Sequence, residues 1–122
     1  MLKIEELDQH VTIFAQMAQE TGPVILINTF TVDAEDVAQL LTAWAADAAW
    51  MQQQPGYIST QLHRGLGGSC VFLNYATWES MEDFKRAFSH PEFRERLQDY
   101  PASAVASPHL FQKVAVPRIC IG

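Results

Sequence analysis

Apolar and polar positions recur along this chain with two periods, and each change of period marks an element. From Ile4 to Gln19, the residues Ile4, Leu7, Val11, Phe14, Ala15 and Ala18 recur at close to the helical spacing, which predicts an amphipathic helix. Thr21-Gly22-Pro23 ends it, because Gly22 can take a left-handed cap and Pro23 cannot continue a helix. Val24 to Val32 is rich in β-branched residues and predicts a strand. Asp33 then stands at an N-cap position, with Glu35 and Asp36 in the first turn. Val37, Leu40, Leu41, Trp44, Ala48 and Met51 form the stripe of a helix running to Gln54, where Pro55-Gly56 stops it.

Tyr57 to Arg64 and Cys70 to Trp78 predict two further strands, joined by the hairpin segment Gly65 to Ser69, in which glycine supplies positive φ. A helix begins near Ser80 and carries Met81, Phe84, Ala87 and Phe88 on one side. Ser89-His90-Pro91-Glu92 reads as a restart, with a capping serine, a proline in the first turn and a glutamate three residues on. A short helix to Gln98, a loop from Tyr100 to Ser107 and a last strand from Pro108 to Val116 complete the chain.

The predicted order is an extra helix over residues 1–22, then β-α-β-β-α-β over residues 23–122. This is the α+β, ferredoxin-like signature: a four-stranded antiparallel sheet with helices on one face. Such a sheet leaves one face bare. Tyr57, Phe72, Tyr75 and Phe111 cannot all be covered by helices on the other face. A second copy stacking sheet on sheet would cover it, so a homodimer is expected.

Composition narrows the partners. With 14 acids against 8 bases the formal net charge is −6, which argues against binding a nucleic-acid backbone or an anionic membrane surface. No apolar run approaches the roughly 18 residues needed to span a bilayer. The acidic start Met1-Leu2-Lys3-Ile4-Glu5-Glu6 has no apolar stretch of the kind a signal peptide needs. Cys70 and Cys120 are far apart, form no Cys-x-x-Cys and read as free thiols, so a cytoplasmic location is expected. No histidine pair at helical spacing, P-loop, Gly-x-Ser-x-Gly or dinucleotide fingerprint occurs, so neither metal nor cofactor is expected.

Candidate chemistry lies in polar residues on apolar strands. Alternation places Phe72, Asn74, Ala76 and Trp78 on one face and Val71, Leu73, Tyr75 and Thr77 on the other. A buried amide left unpaired costs about 1–3 kcal/mol, so Asn74 must bond either a strand neighbour or a substrate oxygen. Asn28, between Leu26 and Phe30 on its strand, is the same kind of anomaly. Trp78 either fills the core or walls a site for an aromatic ligand. His63 alternates with Ser59 and Gln61; it is either a surface residue or an acid–base group.

The run Pro55 to Arg64, followed by Asn74-Tyr75-Ala76-Thr77-Trp78-Glu79-Ser80 and His90-Pro91-Glu92-Phe93, resembles the antibiotic biosynthesis monooxygenase family, over about Pro23 to Val116. The resemblance implies a dimer closed into an α/β barrel, with a pocket between sheet and helices in each subunit. It implies oxidation of phenolic or enolisable aromatics by dioxygen without metal or flavin. By position, Asn74, Trp78 and His63 match that family's catalytic residues, with His63 as a base for a phenolic proton. Asn28, Phe72, Phe84 and Arg94 are the candidate substrate contacts; Phe84 stands where the family has a pocket tyrosine. A non-catalytic small-molecule-binding dimer of the same fold is the alternative. Haem-degrading relatives share the places of Asn28 and Trp78, but their iron-ligating histidine falls on Leu97, which has no lone pair to offer, so haem turnover is not expected.

Overall fold

A computed structural model describes residues 1–122. The elements are β1 (Lys3–Ile4), α1 (Ile13–Gln16), β2 (Val24–Thr31), α2 (Val37–Met51), β3 (Tyr57–Arg64), β4 (Val71–Trp78), α3 (Met81–Phe88), α4 (Pro91–Arg96) and β5 (Val105–Phe111). Short 3-10 turns precede α2 at Ala34–Asp36 and follow α4 at Leu97–Asp99. The strands form one sheet in the order β1-β5-β2-β4-β3. The four strands β2 to β5 pair antiparallel in the ferredoxin-like way, and β1 adds a fifth strand parallel to β5. No helix is long and apolar enough to cross a membrane.

The inner sheet face is where the pattern said it would be. Phe72, Asn74, Ala76 and Trp78 are all buried, as are Val24, Leu26 and Phe30 on the neighbouring strand. Capping chemistry starts the helices behind it. Ser80 Oγ accepts the Asp83 N–H at 3.1 Å, and the His90 ring accepts the Glu92 N–H at 3.0 Å ahead of Pro91. The cap of α4 is thus His90 rather than Ser89. Gly56 turns the chain from α2 into β3 at φ +84°; a Cβ there would lie 2.2 Å from Asp83 Cγ.

Three expectations fail at the termini. The expected helix from Ile4 to Gln19 shrinks to four residues. Asp8 Oδ1 accepts the N–H groups of His10 and Val11, a local arrangement that competes with helical bonding. The chain before it pairs with β5, so the sheet has five strands rather than four. The stripe of Leu7, Val11 and Phe14 is exposed, and Leu2, Ile13 and Met17 are buried instead. The last strand is Val105–Phe111 rather than Pro108–Val116, because Ala106, Pro108 and Leu110 present the inward alternation that pairs with β2. Of the four aromatics expected on the bare face, Tyr75 and Phe111 are exposed, whereas Phe72 is buried. A bulge between Tyr57 and Ser59 carries Tyr57 to the inner face as well.

Beyond β1, the outer edge of β5 is closed at Leu110 by one side chain. Gln16 Oε1 accepts the Leu110 N–H at 3.0 Å, and Gln16 Nε2 donates to the Leu110 carbonyl at 3.2 Å. The carboxamide thus replaces a neighbouring strand at that position. Gln16→Ala should therefore lower stability by about 1–3 kcal/mol, the cost of leaving a part-buried backbone pair without partners. Urea unfolding midpoints of the two proteins test this; equal midpoints would show that water satisfies the edge equally well.

Candidate active site

The apolar side chains behind the sheet do not form one core. Ile13, Leu26, Ala76, Trp78, Met81 and Phe84 belong to one cluster; Leu2, Phe30, Leu40, Phe72, Tyr100 and Ala106 belong to another. Between them lies a cavity of about 180 Å³, bounded by the inner sheet face, by α2, α3 and α4, and by the N-terminal segment. The lining is mostly apolar: Leu26, Phe30, Trp44, Met51, Trp78, Phe84, Phe88 and Phe93 supply much of it.

Two polar residues, Asp47 and Asn74, are buried as deeply as the apolar core, and both line this cavity. Asn74 comes from β4, directly opposite Asn28 on β2, so two carboxamides lie side by side in the middle of the inner face. The Thr60 hydroxyl on β3 donates to Asn74 Oδ1. That bond orients the amide and leaves its nitrogen as the donor for the cavity. Asn28 Oδ1 is buried with no partner. Across the cavity, Asp47 projects from α2. Tyr100 donates its hydroxyl to Asp47 Oδ2 at 3.0 Å, and Asp47 Oδ1 is buried without a partner. Burial pushes the Asp47 carboxyl up to about 6, against the Tyr100 hydrogen bond and the Arg96 charge, which pull it down. Burial and the adjoining Asp47 push the Tyr100 hydroxyl far above the usual phenol range.

Of the seven residues expected at the site, the fold brings five to the cavity: Asn28, Asn74, Trp78, Phe84 and Arg94. Trp78 is both filler and wall, packed edge-on against Tyr57 at 5.7 Å and Phe84 at 6.0 Å. Arg94 is exposed, at the rim of the lining. The other two are elsewhere. Phe72 lies in the second apolar cluster, with the Arg64 guanidinium over its ring at 5.1 Å. His63 is exposed on the other face of β3, its Nδ1 3.3 Å from the Leu73 carbonyl, so a base at His63 does not face the cavity. The alternation of β3 dictates this: Thr60 and Leu62 point inward, and His63 follows Ser59 and Gln61 outward.

Asp47, Tyr100, Thr60 and Tyr57 were not expected at the site. The sequence holds a signal for the first: Asp47 lies three residues after Trp44 and four before Met51, on the apolar stripe of its helix. Leu2, Ile4, Ile13 and Phe14 also line the cavity, which gives the N-terminal segment a wall of the site.

Comparison with known proteins places the chain in a family and among solved structures of the same fold. Residues 23–98 match the family described as antibiotic biosynthesis monooxygenase. Deoxynogalonate monooxygenase of Streptomyces nogalater is 27% identical over 92 residues, which are 75% of this chain and 77% of that one. The crystal structure of SnoaB, a cofactor-independent oxygenase from Streptomyces nogalater, superposes with a TM-score of 0.71 at 26% identity, covering 80% of this chain and 99% of that one. A Shewanella loihica PV-4 protein superposes with a TM-score of 0.68 at 32% identity, with the same coverage of 80% and 99%.

Asp47 links the site to stability. Its folded carboxyl, at about 6, binds a proton more tightly than the unfolded one at 3.8. An acid raised in this way destabilises the fold when ionised, so stability falls as pH rises between those values and stays level above them. The rise corresponds to about 3 kcal/mol. Asp47→Asn should therefore gain about that much relative to wild type between pH 4 and pH 7, as read from urea unfolding at the two pH values. A constant difference would show that Asp47 is equally solvated in both states.

Proposed function

The chain belongs to the antibiotic biosynthesis monooxygenase family, and from that premise we propose that it is a cofactor-independent monooxygenase acting on an aromatic or enolisable small molecule with dioxygen. The observation that carries this reading is the pair of carboxamides, Asn28 and Asn74, set in the floor of a mostly apolar cavity. Dioxygen reacts readily with an electron-rich carbanion or phenolate, so a protein that stabilises such an anion away from water needs no further redox group. The Asn74 amide nitrogen, held by Thr60 on its other side, is an oxyanion donor for the substrate oxygen that gains charge. Asn28 Oδ1 accepts from a substrate hydroxyl. Trp78 and Phe84 give the substrate ring an apolar wall, and Arg94 stands at the rim. The anion adds to dioxygen; the resulting hydroperoxide loses water and leaves a carbonyl. One oxygen atom enters the product and the other leaves as water.

An oxygen electrode with anthrones, hydroquinones and naphthols tests the reaction. Wild type should consume oxygen with at least one of these classes. Asn74→Ala should lose activity on the order of 100-fold, as expected for an oxyanion donor, while still unfolding cooperatively. Binding of these compounds without oxygen consumption would favour a binding module of the same fold.

The proposal extends to assembly. Ile58, Val71, Tyr75 and Phe111 are exposed large apolar residues of β3, β4 and β5, and a second copy stacked there would remove them from water. At 25 cal/mol per Å² or so, even a standard interface of about 800 Å² per partner has a large apolar gain to offset the cost of association. Light scattering at micromolar concentration should give the mass of a dimer; a monomer mass would sink this part of the proposal.

A further inference from the structure

We propose that Asp47 is the proton acceptor of this site: its free carboxylate oxygen takes the proton from a neutral substrate carrying an acidic C–H or O–H, and Tyr100 positions it. This rests on the reading of the cavity as the site of an enolisable aromatic, and it names the substrate class more closely: an uncharged carbon or oxygen acid, not a carboxylate.

The geometry is specific. The two oxygens of Asp47 have different fates. Oδ2 is held by the Tyr100 hydroxyl at 3.0 Å, and Oδ1, on a residue that lines the cavity, is buried with no partner. Tyr100 is itself held, its ring stacked on Phe30 with centroids 6.1 Å apart. A carboxyl kept 7% exposed with an unsatisfied oxygen is expensive in the empty molecule. Other charged groups do not do this work. Arg94 is at the rim; Arg96 pairs with Glu92 at 3.2 Å, while its buried Nε has no partner and its charge pulls the Asp47 carboxyl down; Asp99 is a nearby like charge that pushes it up. No histidine lines the cavity. The other wall, across from Asp47, carries the Asn74 amide, so a substrate lying between them meets a proton acceptor on one side and an oxyanion donor on the other.

The proton balance closes. Asp47 takes one proton from the methylene or hydroxyl, and the electron pair stays on the substrate as an enolate bonded by Asn74. After the enolate carbon bonds dioxygen, Asp47 returns the proton to the peroxide oxygen. The hydroperoxide then eliminates water, and Asp47 is again a carboxylate. A carboxyl held at about 6 is ionised near neutral pH and is a better base than an exposed aspartate.

The first half-reaction needs no oxygen, so it is tested without any. Anthrone is incubated with the protein under nitrogen in deuterium oxide, and deuterium at the methylene opposite its carbonyl is followed by NMR. Wild type should exchange it faster than buffer, with a rate that rises with pH to a plateau around a midpoint near 6. Asp47→Asn should bind anthrone, as read by tryptophan fluorescence, yet lose about 100-fold or more of the catalysed exchange. Tyr100→Phe should keep exchange but move the midpoint upward, because the hydrogen bond that lowers the Asp47 carboxyl is gone; an unmoved midpoint would remove Tyr100 from its positioning role. Exchange as fast in Asp47→Asn as in wild type, or no faster in wild type than in buffer, would overturn the proposal. Oxygen uptake run in parallel separates the two readings. Exchange that depends on Asp47 with no oxygen consumed keeps the base and sinks the monooxygenase. Oxygen uptake indifferent to Asp47→Asn does the reverse.

Discussion

Two carboxamides side by side in the middle of a sheet face cannot be packed over by apolar side chains. Asn28 and Asn74 sit directly opposite each other on β2 and β4, and helices placed tightly on them would strand their polar atoms. The protein meets this constraint by dividing its core. One apolar cluster gathers around Trp78 and Phe84 and another around Phe30 and Phe72, with the cavity between them. A close-packed interior of this size would be more stable, since each methyl-sized void forfeits contact energy. The void is therefore a feature the rest of the fold is arranged to tolerate.

The same division explains the polar residues around it. Thr60 satisfies one side of Asn74 and so fixes which atom the cavity meets. Tyr100 does the same for Asp47 from the opposite wall. Asn74 and Asp47 thus each have one side-chain partner and one open valence, a state that costs free energy in the empty molecule and is recovered when a ligand with matching groups enters. Because the surrounding wall is apolar, these few groups act in a low dielectric, where a hydrogen bond to a developing anion is worth more than in water.

The N-terminal residues belong to this arrangement rather than hanging from it. β1 docks on β5 through Lys3 and Ile4, Gln16 closes the strand edge beyond, and Leu2 and Ile13 reach the core from this segment. The family match covers residues 23–98, so this wall of the cavity is built from residues outside that match. Ile4 and Phe14 remain substantially exposed while lining the site, which places them where a ligand would pass.

Periodicity and β-branched composition alone placed the central elements: strands expected over Val24–Val32, Tyr57–Arg64 and Cys70–Trp78 and found over Val24–Thr31, Tyr57–Arg64 and Val71–Trp78, the long helix between the first two, and the inward face that carries Asn74 and Trp78. These are local signals, since a strand buries every second residue and a helix every third or fourth whatever lies beyond. The odd polar residue on an apolar face was likewise visible, in Asn28 and Asn74 and, unread, in Asp47. What the tertiary structure alone decided was the partnership between distant segments. Lys3–Ile4 became a strand because β5 had an open edge to offer, and Ala106, Pro108 and Leu110 became strand because β2 supplied the register. Tyr57 entered the inner face through a bulge, and His63 stayed outside because its strand alternates the other way. Asp47 met Tyr100 across 53 residues of sequence. Side-chain spacing along the chain holds no information about such meetings, because they depend on which surfaces the folded elements leave unsatisfied.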